Sequence, residues 1–232
     1  FARLLGHNVL YTATNGAQQA ESDGQSEFDS NLGWGASSSF QISTTQSYMW
    51  KRSAGFGVIT YQGDAQIGRV VFHNLARSPE MIWIKKRDAS EPWAVGHKGL
   101  NGGTNPWEYY LQLESNIAEA DYPLFNDQAP SSTSFHIHSN DMVNGENHPY
   151  IAMLFASVSG ISLVGYYNGS CSTGNAQSIG FQPRYLIIKR INSTGNWMQF
   201  NSLSGFDKYT QLDTNQQQYS QTYVNVSATG FS

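Results

Sequence analysis

The feature that most limits what this chain can fold into is an internal repeat. Pro79-Glu80-Met81-Ile82-Trp83-Ile84-Lys85-Lys86 returns as Pro183-Arg184-Tyr185-Leu186-Ile187-Ile188-Lys189-Arg190, displaced by 104 positions. At the same displacement Asp88 meets Asn192, Ser90 meets Thr194 and Trp93 meets Trp197. Self-similarity at a fixed offset marks a structural unit used more than once. The unit reads as a hairpin. Pro restricts the backbone ahead of the strand, four apolar residues suit burial on both faces, and Asp or Asn opens the turn. The basic pair is expected to reach solvent, its long stems covering apolar surface. Trp then begins the return strand.

The repeat extends upstream. Val58-Ile59-Thr60-Tyr61-Gln62-Gly63 matches Leu163-Val164-Gly165-Tyr166-Tyr167-Asn168-Gly169 at a displacement of 106, and both read as a strand running into a turn. Phe28-Asp29-Ser30-Asn31 with Tyr48-Met49-Trp50 resembles Phe135-His136-Ile137-His138-Ser139-Asn140 with Tyr150-Ile151-Ala152, and Phe231 opens the next such piece. Residues 1–55 therefore finish one copy, 56–160 hold a complete copy, and 161–232 start a further copy that stops near Phe231, within a longer parent chain. A permuted division, with a physical domain starting inside one copy and ending inside the next, stays open at this point.

Short apolar or alternating runs at 58–61, 70–72, 81–86, 93–97, 107–113, 135–137, 150–158, 163–167, 185–191 and 223–226 read as strands. Turn-forming clusters such as Asn101-Gly102-Gly103-Thr104-Asn105 separate them, and residues 113–122 read as a loop although they hold the best helix pattern. The fold class is all-β: tandem antiparallel β-sandwich or jelly-roll-like domains with little helix, arranged like beads.

Composition narrows the function. Only 13% of residues are charged, about half the usual globular share, while 13% are aromatic. The rings must be buried or used in contacts, so the chain folds and presents a polar, mostly neutral surface. A net charge of -4 with scattered Lys and Arg offers no stripe for nucleic acid. Apolar runs such as 150–155 are too short to insert into a membrane. The single cysteine, Cys171, forms no intrachain disulfide, which fits assembly in a reducing cytoplasm.

Candidate site residues divide by whether the repeat reproduces them. Pro79, Trp93, Pro183 and Trp197 occupy equivalent positions and read as structural. Trp34 and Trp107 have no counterpart and lie in Gly- and Asn-rich stretches, so Trp107 and Trp34, with Tyr109 beside the former, are the candidates for stacking on a glycan. His136 and His138, two apart on a strand with His148 and Asp141 near in sequence, are the weak metal candidates, although a site needs at least three ligands. No metal or other cofactor is expected. No phosphate loop, nucleophile elbow, zinc helix or marked carboxylate pair occurs, and Gly169-Ser170-Cys171-Ser172 lacks the elbow spacing, so an enzyme is not expected.

The order Tyr48-Met49-Trp50-Lys51-Arg52, Tyr61-Gln62-Gly63, His73-Asn74-Leu75, Pro79 to Arg87, Trp93 and His97-Lys98 resembles a family of uncharacterised β-rich repeat domains from marine tailed phages, the cyanophages and pelagiphages. Tyr167-Asn168-Gly169, Gly180-Phe181-Gln182-Pro183, Leu186 to Arg190 and Trp197 carry the likeness through the second copy, which lacks the His-Asn and His-Lys pairs. The resemblance implies a virion structural protein, a tail fibre, spike or capsid appendage, assembled in the host cytoplasm and exposed outside. Its partners would be other virion proteins and itself, plausibly as a homotrimer, serving assembly or host attachment. The alternative is a carbohydrate-binding, lectin-like module that recognises host surface glycans.

Overall fold

A computed structural model describes residues 2–4, 10–12 and 55–232 apart from Thr173 and Asn215. The described chain is mostly β, with several antiparallel sheets and one short α-helix. At the front β1 (Ala2–Leu4) pairs with β2 (Leu10–Thr12). The next strands are β3 (Phe56–Gln62), β4 (Arg69–Phe72), β5 (Met81–Lys86), β6 (Ala94–His97), β7 (Tyr109–Gln112) and β8 (Ala120–Asp121). Then come β9 (Ser134–Ile137), the single-turn helix α1 (Asp141–Asn144) and β10 (Pro149–Phe155). Six of these strands form one sheet in the order β3-β10-β5-β6-β7-β8, while β4 and β9 form a separate pair.

The central strands explain the uninterrupted apolar runs. β5 and β10 lie inside the six-stranded sheet and are covered on both faces. One face carries Val58, Trp83, Val95, Leu111, Ile151 and Met153. The other carries Ile82, Ile84, Ala94, Tyr150, Ala152 and Leu154, and packs with Val71, Phe135 and Ile137 from the β4–β9 pair. Burying four or five large side chains per strand at about 25 cal/mol per Å² of apolar surface makes this sheet the main source of stability.

The remaining strands are β11 (Gln177–Ser178), β12 (Tyr185–Ile188), β13 (Met198–Asn201), β14 (Gly205–Gln211), β15 (Tyr219–Ser220), β16 (Val226–Ser227) and β17 (Gly230–Phe231). They make a four-stranded sheet β12-β13-β14-β15 and a small sheet β11-β17-β16.

The two parts repeat one another in register. Met81 pairs with His97 and Ile84 with Ala94; 104 residues on, Tyr185 pairs with Asn201 and Ile188 with Met198. Tyr109 and Tyr110 pair with Asp121 and Ala120, and 99 residues on Lys208 and Tyr209 pair with Ser220 and Tyr219. Val71 faces Phe135 as Gln177 faces Phe231. The His73 and Ile179 amides donate to the Thr133 and Thr229 carbonyls, both at 2.8 Å.

Several expectations are corrected. Residues 163–167 form no strand, and of the run 223–226 only Val226 does. The 107–113 run begins with a 3-10 turn at Pro106–Glu108, so its strand starts at Tyr109. β14 escapes a sequence reading because Gly205-Phe206-Asp207-Lys208-Tyr209 has no apolar alternation. Nor do the copies hang like beads: Trp197 and Leu212 join the apolar cluster of the first sheet, and Trp197 Nε1–H donates to the Gln112 carbonyl at 2.9 Å.

Candidate interaction surface

Both hairpin turns are locked by a Lys, a carboxylate and a Trp. The Trp93 amide donates to Glu114 Oε2 at 3.0 Å, and Lys85 Nζ donates to the Lys86 and Ala89 carbonyls at 2.7 Å each. In the second copy the Trp197 amide donates to Asp213 Oδ1 at 3.1 Å, while Lys189 Nζ donates to the carbonyls of Arg190 at 2.6 Å and Ile117 at 2.8 Å. Burial pushes the Glu114 and Asp213 carboxyls up, against the pull of the Trp amides and nearby lysines. Burial likewise pushes Lys85 and Lys189 down. Perturbed titratable groups often mark catalysis, but here the same set recurs in both copies and holds a turn. The expectation that the basic pair is solvated fails in the first copy. Lys85 and Lys86 are buried, and Lys86 Nζ reaches Asp141 Oδ2 at 2.7 Å.

Trp107 lies in the connection between β6 and β7, which is five residues longer than its counterpart between β13 and β14. That insertion is why no second copy of Trp107 exists. Its ring is only 6% exposed and meets Phe125 edge-on, with centroids 5.5 Å apart and planes at 72°. Gly96 lies beneath; a Cβ there would come within 2.7 Å of both rings, so glycine is required for the close approach. Trp107 thus belongs to the core, and Tyr109 beside it is half-buried against the other face of the sheet. Trp34 lies outside the described residues.

The histidines do not converge. His136 sits in β9 opposite Val70, and His138 meets the Tyr122 ring edge-on at 6.1 Å. His148 Nδ1 pairs instead with Asp88 Oδ2 at 2.8 Å. Among the described residues no group of three or more His, Cys, Asp or Glu side chains could hold a metal ion. Pro79, Trp93, Pro183 and Trp197 are buried at the equivalent hairpins. Cys171 is exposed and free.

What the structure does bring to the surface is apolar. Phe72 is 75% exposed and Ile67 69%, with Val70 beside them on β4. An open groove lined by Ile59, Phe72, His73 and Asn74 adjoins this patch. Burial pushes the His73 imidazole below its usual pKa, which favours the uncharged ring on the groove wall. Alternation of Val70, Val71 and Phe72 aims Val71 inward and its two neighbours outward. The signal was available in the sequence: at a displacement of 106, Ala176 and Ser178 stand in place of Val70 and Phe72. The apolar surface is thus peculiar to the first copy.

These features define a β-repeat module with an apolar recognition face rather than a catalytic cleft. A family model described as a domain of unknown function (DUF7483) matches residues 9–232, so it spans both copies, and the chain belongs to that family. No curated protein and no solved structure matches the chain.

Proposed function

We propose that this chain is a non-enzymatic structural component of a tailed-phage virion, a fibre, spike or capsid appendage whose repeated β-units space out and present surfaces for assembly or host attachment. The observation that carries this reading is the shared core. Trp197 and Leu212 of one copy pack with Trp83, Trp93 and Leu113 of the other, so the copies form one stiff body suited to bearing an attachment surface. The low charge suits an exposed particle surface, and the Phe72 patch supplies an apolar contact for another virion protein or a second subunit. Threefold association would bury that patch, as fibres of limited core size gain stability from subunit contacts.

A cryo-EM map of the intact particle tests the proposal by locating this chain and counting its copies about the local axis. Density projecting from tail or capsid with threefold symmetry is the expected result. A chain found only as a free monomer with ordered sugar on its surface would overturn it in favour of a lectin.

A further inference from the structure

The second copy has a vacant strand position. In the first copy β10 lies between β3 and β5, pairing Phe155 with both Phe56 and Met81. The second copy reproduces β5 as β12, and reproduces β3 in sequence as residues 162–168, yet among the described residues no strand lies between them. The consequences are visible on both sides of the gap. β5 is buried from Ile82 to Lys86, whereas Leu186, Ile187 and Ile188 are only half-buried. Leu163, Tyr166 and Tyr167 are 50%, 57% and 41% exposed, while Tyr61, the counterpart of Tyr167, stacks on Tyr150 of β10 at 5.3 Å. Tyr167 is nevertheless in place, because its ring meets Phe231 as part of the same layer that Tyr61 and Phe135 share in the first copy. A half-built slot with an open edge is a template for one more strand.

We infer that this slot is an acceptor for an antiparallel strand of β10 type, and that its occupant is the stretch of this chain just ahead of Gly55, where Tyr48-Met49-Trp50 carries the β10 position in the sequence. The junction is correctly sited. The Gly55 carbonyl accepts from the Ala156 amide at 2.7 Å, and a Cβ on Gly55 would lie 3.0 Å from Ser162 Oγ, so the chain enters β3 beside the first residue of the slot. The repeat fixes the register. The pairing of Phe56 with Phe155 becomes Ser162 with Ser53, and that of Ile84 with Ala152 becomes Ile188 with Trp50. Lys51 and Arg52 stand where β10 has Met153 and Leu154, which matches a second sheet less apolar than the first, with Gln199 in the place of Val95. In this arrangement the front of the chain completes its last copy, and the permuted division of the repeat is the physical one.

The test is a cysteine pair in the full 232-residue chain with Cys171→Ser: Ser53→Cys with Ser162→Cys, compared with Ser53→Cys with Ser159→Cys as an off-register control. Mild oxidation should close an intramolecular disulfide in the monomer for the first pair and at least about tenfold less for the control, because bridging requires Cα atoms within about 7 Å. Amide exchange on Trp50→Pro adds an independent readout, since proline removes a ladder donor. Peptides covering 185–188 should then exchange at least about tenfold faster, with those covering 149–155 unchanged as the internal measure of folding. A disulfide that forms only between two molecules would assign the slot to a second copy and overturn the inference. Equal yields for the two pairs, or unchanged exchange at 185–188, would overturn it as well.

Discussion

Replacing Trp197 by Ala tests whether the copies are one body or two. The side chain is 4% exposed, lies in the cluster of the first sheet and donates its indole N–H across the boundary to Gln112. A buried Trp hides about 150–250 Å², which at about 25 cal/mol per Å² gives about 4–6 kcal/mol of transfer free energy. Truncations of this kind cost about 3–5 kcal/mol in practice. The unpaired Gln112 carbonyl adds about 1 kcal/mol at most, since water can reach a newly opened site. Trp197→Ala should therefore cost about 4 kcal/mol, and Trp197→Phe, which keeps most of the ring area but loses the donor, about 1–2 kcal/mol. The assay is urea unfolding followed by tryptophan fluorescence and by far-UV circular dichroism. Because Trp93 and Trp83 sit in the same cluster, the wild type should unfold in one transition by both probes, with the whole transition moving to lower urea in the variant. Two transitions of which only one moves, or a loss below about 1 kcal/mol, would refute the shared core.

Three further results follow from the geometry. Burial, reinforced by the Lys98 ammonium, pushes His97 down to about 4, so the folded chain keeps the ring neutral while the unfolded chain protonates it below about 6.5. Stability should thus fall as pH drops from about 6.5 to 4, by at most about 3 kcal/mol, and His97→Gln should remove that slope in pH-dependent urea titrations. Gly63→Ala places a Cβ against the Gly145 carbonyl and the Tyr150 ring and should cost about 2–3 kcal/mol, whereas Gly169→Ala, at the matching repeat position with open space around it, should change the melting midpoint by less than about 0.5 kcal/mol equivalent. Lys86→Met removes the donor to the half-exposed Asp141 and should cost about 1–2 kcal/mol by the same denaturation assay, more than a surface pair would.

The hairpin was legible because its determinants are local. Four consecutive apolar residues, a turn opened by Asp or Asn, and a Trp at a fixed offset define a strand buried on both faces wherever they occur. The class and most strands of the first copy followed from that. What stayed hidden depends on partners distant in sequence. Lys85 and Lys86 read as solvated ends because nothing local reveals Asp141, fifty-five residues away, or the turn carbonyls that receive Lys85 Nζ. Trp107 reads as exposed because Asn101, Gly102, Gly103 and Asn105 surround it, although those residues serve turn geometry: Asn101 and Asn105 hold φ of 49° and 44° while the indole packs inward on Phe125. The strand expected at 163–167 has the right sequence; a strand forms only when a neighbour satisfies its backbone, and β10 has no described counterpart there.

The repeat also separates what the fold needs from what is left for recognition. The Lys, carboxylate and Trp lock, the paired register of four strands and the Thr133 and Thr229 carbonyls that receive β-bridge amides are present twice, so their chemistry is accounted for by construction. The β6–β7 insertion, the α1 turn with Tyr150 donating to the Asp141 carbonyl at 2.5 Å, and the outward Val70 and Phe72 are present once among the described residues. Of these, the insertion and α1 turn their large side chains inward to the core, as Trp107 and Val143 do. Only the β4 face spends apolar side chains on solvent, where each exposed Phe or Val forgoes about 1.5–3 kcal/mol of burial. A fold that could place Ser178 and Ala176 at the same positions in its other copy has no structural need for that exposure, so the Phe72 face is where a partner of this chain is to be sought.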